Sequence, residues 1–149
     1  MPTIILKESP DHHDAELVIR LYELRREPVM RESRHALATQ FWPRSAEDVL
    51  ALTKADHPLN AAWRQVGGYW EMVYGMARHG IVHADFLVDN NGEGLMLFAK
   101  VEPYLDALRA QAGPRAFRSA EWVARETEMG RTIAEMFRGR IAARLKAAK

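Results

Sequence analysis

Residues 58–79 decide the fold, and they read PLNAAWRQVGGYWEMVYGMARH. Apolar residues recur there at the three- and four-residue spacing of a helix that is buried along one side. These residues are Leu59, Ala62, Trp63, Val66, Trp70, Val73 and Ala77. Pro58 suits the first helical position because proline has no N–H to leave unpaired there. Gly80 suits the position just beyond the last turn. The stretch therefore predicts a helix over residues 58–79 at the centre of the domain.

A second face of this helix consists of small residues. Ala61, Gly68 and Gly75 repeat every seven residues and so lie along one line of the helix. Glycine in a helix interior costs about 1 kcal/mol relative to alanine. The presence of Gly67, Gly68 and Gly75 therefore indicates a gain elsewhere, and close approach by another helix is the gain that we expect. The alternative is that these glycines bend the helix or face solvent.

Length and composition are typical of one globular domain. The chain has 149 residues, of which 48% are apolar and 28% charged, and its formal net charge is +1. It contains no cysteine, and hence no disulfide, thiolate ligand or thiol nucleophile. It has no apolar run long enough to span a bilayer, and residues 1–8 do not resemble a secretion signal. We expect a single cytoplasmic domain over residues 1–149, with a short extended segment at residues 1–10.

Further helices flank the central one. Apolar spacing, capping residues and prolines predict helices over residues 14–26, 28–40, 46–55, 83–89, 93–112 and 119–147. Pro103 predicts a kink in the helix over 93–112, because proline interrupts the hydrogen-bond pattern. Ser119 is expected to cap the last helix. The fold class is therefore all-α, a compact bundle of about six to seven helices around residues 58–79.

Several short motifs resemble a known family. They are Gly68-Tyr69-Trp70-Glu71, Ala77-Arg78-His79-Gly80-Ile81-Val82, Phe86-Leu87, Glu102-Pro103-Tyr104-Leu105 and Leu108-Arg109. Together they resemble an uncharacterised bacterial family of small all-helical domains, over roughly Leu17 to Arg109. The resemblance implies a helical fold. It implies no activity and assigns no role to any residue.

A metal site is the first chemistry to consider. His79 and His83 are four residues apart, with Asp85 and Asp89 close behind, and on an unbroken helix the two histidines could share a metal ion. Gly80 lies between them and is expected to end the helix. We therefore expect His79 in the last turn, where its positive form suits the helix dipole, and His83 at the start of the next helix. No metal or cofactor is predicted.

Other catalytic signatures are weak. A di-iron bundle needs two Glu-x-x-His motifs, and the chain has one, at Glu32 and His35. There is no nucleophile elbow and no phosphate-binding glycine loop. No catalytic residue is predicted, and the sequence favours a protein that is not an enzyme.

Three functions remain open. The first is self-association or binding of a protein partner, because four tryptophans and seven methionines exceed what a small bundle needs. The second is a small-ligand or enzymatic site between the helices over 58–79 and 93–112. Its expected lining residues are Tyr69, Tyr74, His79, His83 and Tyr104.

The third function concerns the basic C-terminal helix. Residues 115–149 carry nine arginines and lysines against four glutamates. Such a helix can bind nucleic acid, an anionic membrane surface or an acidic partner, and the contacts would be Arg131, Arg138, Arg140 and Arg144. The alternative, which we favour, is that these cations complement the dipole at the end of the helix. Nucleic-acid binding is accordingly not expected.

Overall fold

The fold consists of helices joined by short connections. The computed structural model describes residues 6–148, and over that range it contains helices and turns but no strand. In chain order the helices are α1 (His12–Arg25), α2 (Pro28–Gln40), α3 (Ala46–Leu52), α4 (Asn60–Arg78), α5 (Ala84–Asn90), α6 (Gly94–Val101), α7 (Leu105–Ala112), α8 (Arg118–Glu126) and α9 (Glu128–Ala147). The all-α prediction is confirmed. The first five residues of the predicted extended segment lie outside the described range, and residues 6–10 form neither helix nor strand.

Two of the predicted helices are divided, which raises the number of α-helices over residues 6–148 to nine. The segment predicted to kink near Pro103 is interrupted by a 3-10 turn, Glu102–Tyr104, between α6 and α7. The predicted basic helix is interrupted at Thr127, whose backbone is extended. The Thr127 hydroxyl donates to the Val123 carbonyl and accepts from the Gly130 amide, so it ends α8 and caps α9.

Helix α4 occupies the centre of the bundle. It packs against α2 and α8 and also contacts α5. Its buried residues include Val66, Trp70, Val73, Tyr74 and Ala77. The predicted end of this helix differs from the observed one by a single residue, and Gly80 adopts a left-handed φ of 74° just beyond it. The start differs by two residues, since the Leu59 amide bonds to the His57 ring in a turn before α4.

The glycine line of α4 is only partly covered. A Cβ added at Gly75 would lie 3.6 Å from Ser119 Oγ of α8, which is ordinary contact. A Cβ added at Gly67 or Gly68 would have no atom of a neighbouring helix within 4 Å. Ala61, on the same line, is exposed. The prediction of a neighbouring helix is therefore wrong at Gly67 and Gly68. The neighbours α2 and α8 thus leave α4 uncovered at Gly67 and Gly68, whereas α8 reaches it at Gly75.

Close backbone approach occurs instead at two other glycines. A Cβ at Gly94 would lie 2.5 Å from the Trp70 ring and 2.6 Å from the Tyr74 hydroxyl, so α6 begins directly against α4. A Cβ at Gly130 would overlap the Val123 carbonyl, so α9 begins directly against α8. These contacts hold α4, α6, α8 and α9 in one core.

Three helices begin at a carboxylate that another helix supplies. Asp14 of α1 accepts from the His83 amide at the start of α5, at 3.2 Å. Glu71 of α4 accepts from the first turn of α8, and Asp85 of α5 accepts from the Met129 amide in the first turn of α9, at 2.9 Å. Each carboxylate satisfies backbone N–H groups that have no partner within their own helix.

Candidate functional site

A concave surface lies between α4 and α8. This α4–α8 groove has a volume of about 590 Å³. Its apolar floor is formed by Met72, Met76 and Ile81, and its basic residues are Arg78, Arg115 and Arg118. Ile81 is 63% exposed and Met72 is 44% exposed, which is high for large apolar side chains.

Glu71 sets the geometry of this groove. Its two oxygens accept from the Ser119 amide at 2.9 Å and from the Ala120 amide at 3.0 Å, so the carboxylate caps α8 from the side of α4. Sequence reasoning expected Ser119 to cap the helix through its own side chain, which is wrong. The Ser119 hydroxyl instead accepts from Arg78 Nε at 3.1 Å, and this bond holds the Arg78 side chain along the groove.

A second groove lies nearer the start of α4 and shares Met72 with the first. This α1–α4 groove has a volume of about 460 Å³, and its lining includes Leu24, Arg64, Gly68 and Met72. Leu24 is 49% exposed. The uncovered glycine of α4 therefore lies in a concave surface beside two exposed apolar side chains.

The residues predicted to line a ligand pocket are not brought together. Tyr69 donates its hydroxyl to the Leu21 carbonyl at 2.6 Å and Tyr74 donates to the Asn91 carbonyl at 2.8 Å, so both serve the core. Burial raises the pKa of both tyrosines. His79 is exposed in the α4–α8 groove, and His83 caps α5 by accepting from the Phe86 amide. Tyr104 lies half-buried in the 3-10 turn.

Between α2, α4 and α6 there is only a small cavity of about 40 Å³. A cavity of this size has room for one or two water molecules. Arg34 and Glu93 line one part of it and form two hydrogen bonds at 2.6 and 2.7 Å. Trp70 fills much of the space between α4 and α6 where the ligand pocket was predicted.

Lys100 lines the same cavity and is a buried charged residue that sequence reasoning missed. Only 3% of it is exposed. Its Nζ donates to the Leu37 carbonyl at 3.1 Å, near the end of α2, and lies 3.8 Å from the centre of the Trp42 ring. Burial, and then the nearby charge of Arg144, lower the pKa of Lys100 to about 8. Its place in the apolar run Leu97-Phe98-Ala99-Lys100-Val101 was the available signal.

The four arginines predicted to contact an anionic partner all contact their own chain. Arg138 forms two hydrogen bonds with Glu102, at 2.7 and 3.0 Å. Arg131 donates to the Arg125 carbonyl, Arg144 lies over the Trp42 ring, and Arg140 lies over the Phe137 ring. They are spread along α9, and the largest contact, that of Arg138, ties α9 to the 3-10 turn.

The histidines and carboxylates considered for a metal ion have other roles. His83 and Asp85 hold the starts of α5 and α9, and Glu32 and His35 are exposed on α2. Over the described residues, no three histidine, aspartate or glutamate side chains are grouped closely enough to hold a metal ion. None of the described helices combines the length and the apolar character needed to cross a bilayer.

These features define a helical bundle domain with two surface grooves on its central helix. A family model described as "Domain of unknown function (DUF4760)" matches residues 10–127, and the chain belongs to that family. The match confirms the resemblance to a helical family of unknown function. It ends at the break between α8 and α9, so α9 lies outside it. Comparisons with curated proteins and with solved structures gave no match.

Proposed function

We propose that this domain is a non-enzymatic module that associates with a second copy of itself through the α1–α4 groove. The observation that carries the proposal is the uncovered glycine of α4. Gly68 has open space where a Cβ would lie, and it adjoins the exposed side chains of Leu24 and Met72. Glycine destabilises a helix relative to alanine, and no helix within the described residues packs closely against Gly67 or Gly68 to offset that cost.

A helix from another molecule fits this surface well. Glycine lets two helix backbones approach closely, so that dispersion contacts form over a larger area. Methionine is adaptable and is enriched at protein interfaces. Leu24 and Met72 would supply apolar contact on either side of Gly68. A packed helix would therefore remove exposed apolar surface that is otherwise in water.

Charge favours a second copy as the partner. Glu27 and Arg64 both line the groove and both are exposed. In a two-fold symmetric dimer each surface meets itself in reverse, so the acid of one copy can face the base of the other. Two copies of the groove can thus place opposite charges across the two-fold axis. A cytoplasmic location is part of this proposal, and the cysteine-free sequence is compatible with it.

The other two functions have less support. The cavity between α4 and α6 has room for water but not for an organic ligand. The arginines of α9 contact their own chain, and their spacing along the helix offers no single anion-binding surface.

Sedimentation velocity and light scattering test the proposal. The wild-type protein should form dimers as its concentration rises to about 0.5 mM, which detects dissociation constants up to the millimolar range. Gly68→Leu should weaken dimerisation by about tenfold or more, because the side chain would occupy the space that the partner helix needs. A wild-type protein that stays monomeric throughout would refute self-association.

Gly139→Leu is the matched control. Gly139 is also a helical glycine with open space around its Cβ position, but it lies on α9, outside the lining of the α1–α4 groove. The Gly139→Leu substitution should leave the dimerisation constant unchanged. Equal effects of the two substitutions would show that Gly68 has no special part in the interface. Circular dichroism confirms that each variant is folded.

A further inference from the structure

We infer that the α4–α8 groove binds an acidic amphipathic segment of a protein partner. This binding differs from self-association in the residues that it uses. Arg115 and Arg118 line the α4–α8 groove and not the α1–α4 groove, whereas Leu24 and Glu27 line the α1–α4 groove and not the α4–α8 groove; Met72 lines both. The argument rests on the unbalanced charge of the groove, on its apolar floor and on its concave shape.

The charge of the groove is not neutralised within the described residues. Over residues 6–148, Arg78, Arg115 and Arg118 form no ion pair with a carboxylate. The groove contains one acid, Glu71, and both of its oxygens are bonded to backbone amides of α8. Three guanidinium groups therefore face solvent or neutral partners. Such a surface attracts carboxylates and repels basic segments.

The basic surface continues around α8. Arg78 and Arg118 also line a neighbouring depression of about 380 Å³ that includes Trp122 and Arg125. Arg125 is paired there with Glu121 at 2.8 Å, and Glu126 is a second acid of the lining, so the excess positive charge of the depression comes from Arg78 and Arg118 and is smaller than that of the α4–α8 groove. An extended or helical segment could follow this path, whereas a small anion would occupy only part of it.

The apolar floor selects an amphipathic segment over a purely acidic one. Met72, Met76 and Ile81 present apolar surface in the same groove as the arginines. An amphipathic helix docks by placing residues at three- and four-residue spacing on such a floor. Its acidic flank would then reach Arg115 and Arg118.

Selection from a phage library of random 16-residue peptides on the immobilised protein tests the inference without assuming a sequence. The enriched peptides should be rich in glutamate and aspartate and should carry apolar residues at helical spacing. Their Kd, measured by fluorescence anisotropy, should rise about tenfold or more in the double variant Arg115→Glu, Arg118→Glu. The affinity should also fall as salt rises. Enriched peptides without acidic bias would overturn the inference.

Arg20→Glu with Arg31→Glu is the matched control. Both arginines are exposed, on α1 and α2, and the pair changes net charge by the same amount. Peptide binding should be unchanged in this variant; equal weakening in both double variants would overturn the assigned groove. Gly68→Leu should keep the peptide affinity, so failure of the dimer and failure of the groove give different results. Binding to vesicles of phosphatidylserine and phosphatidylcholine that is lost in the Arg115 and Arg118 variant, with no peptide enriched, would replace the inference with membrane binding.

Discussion

Gly94→Ala should destabilise the fold, although alanine is the better helix former. The added Cβ would lie 2.5 Å from one Trp70 ring atom, 2.7 Å from another, and 2.6 Å from the Tyr74 hydroxyl. Neither aromatic side chain can move freely. Tyr74 is fully buried and bonded to the Asn91 carbonyl, and the Trp70 and Tyr74 rings are stacked at 5.5 Å. Overpacking of this kind costs about 1 to 3 kcal/mol of unfolding free energy.

Urea denaturation followed by circular dichroism and tryptophan fluorescence measures this effect. For a domain of this size the loss corresponds to a fall in Tm of roughly 2 to 12 °C. Gly67→Ala is the control, because its Cβ would meet open space and should stabilise the protein by up to about 1 kcal/mol. An unfolding free energy of Gly94→Ala equal to or above that of the wild type would refute the packing described for α4 and α6.

Three further predictions concern charged groups. Glu71→Gln should lower the unfolding free energy by about 1 kcal/mol, because the Ser119 and Ala120 amides lose a charged acceptor. The pKa of Lys100 is lowered from 10.5 to about 8, so between those pH values the unfolded chain binds more protons than the folded one. The unfolding free energy contributed by this group therefore rises with pH across that window. Lys100→Met should remove the rise, as measured by urea denaturation from about pH 7 to 9.5. Burial opposes ionisation of Asp14, but hydrogen bonds from Lys7 and from backbone amides leave its pKa lowered. Its contribution to the unfolding free energy is therefore present above about pH 4 and is lost on acidification. Asp14→Asn should reduce the loss of unfolding free energy at acidic pH, measured by the same urea denaturation.

Each of these substitutions has a control elsewhere on the surface. Glu126→Gln, at the end of α8, should not destabilise the protein, because a negative charge is unfavourable at a helix C-terminus. Lys54→Met and Asp106→Asn remove exposed charges and should leave the pH profiles unchanged. A Lys100→Met profile parallel to that of the wild type would contradict the assigned pKa. Wild-type stability in Glu71→Gln would contradict the capping role.

The sequence predicted the fold class and the central helix because both depend on local patterns. Apolar spacing and Gly80 placed α4 to within two residues, and Pro103 located the interruption between α6 and α7. The break at Thr127 was missed, although threonine is a favoured residue at the start of a helix. The apolar pattern simply continues from α8 into α9 and conceals it.

The remaining differences from the sequence predictions concern contacts between distant segments. A glycine in a helix reveals a cost, but it does not reveal which neighbour approaches, so Gly68 was assigned a contact that belongs to Gly94. Tyr69 and Tyr74 looked like pocket residues because a hydroxyl suits a ligand as well as a backbone carbonyl. The surroundings of Lys100 depend on α2 and on Trp42, about sixty residues earlier, and no local pattern carries that information.

Two of the carboxylates that cap the starts of other helices connect three helices in series, which forms a relay from α1 through α5 to α9. This has consequences for amide exchange. Asp14 of α1 secures the start of α5, and Asp85 of α5 secures the start of α9. Release of α1 would therefore loosen α5 and, through it, the first turn of α9. Partial opening of one segment spreads along the relay, so slow exchange at Met129 should report the integrity of a helix more than a hundred residues away.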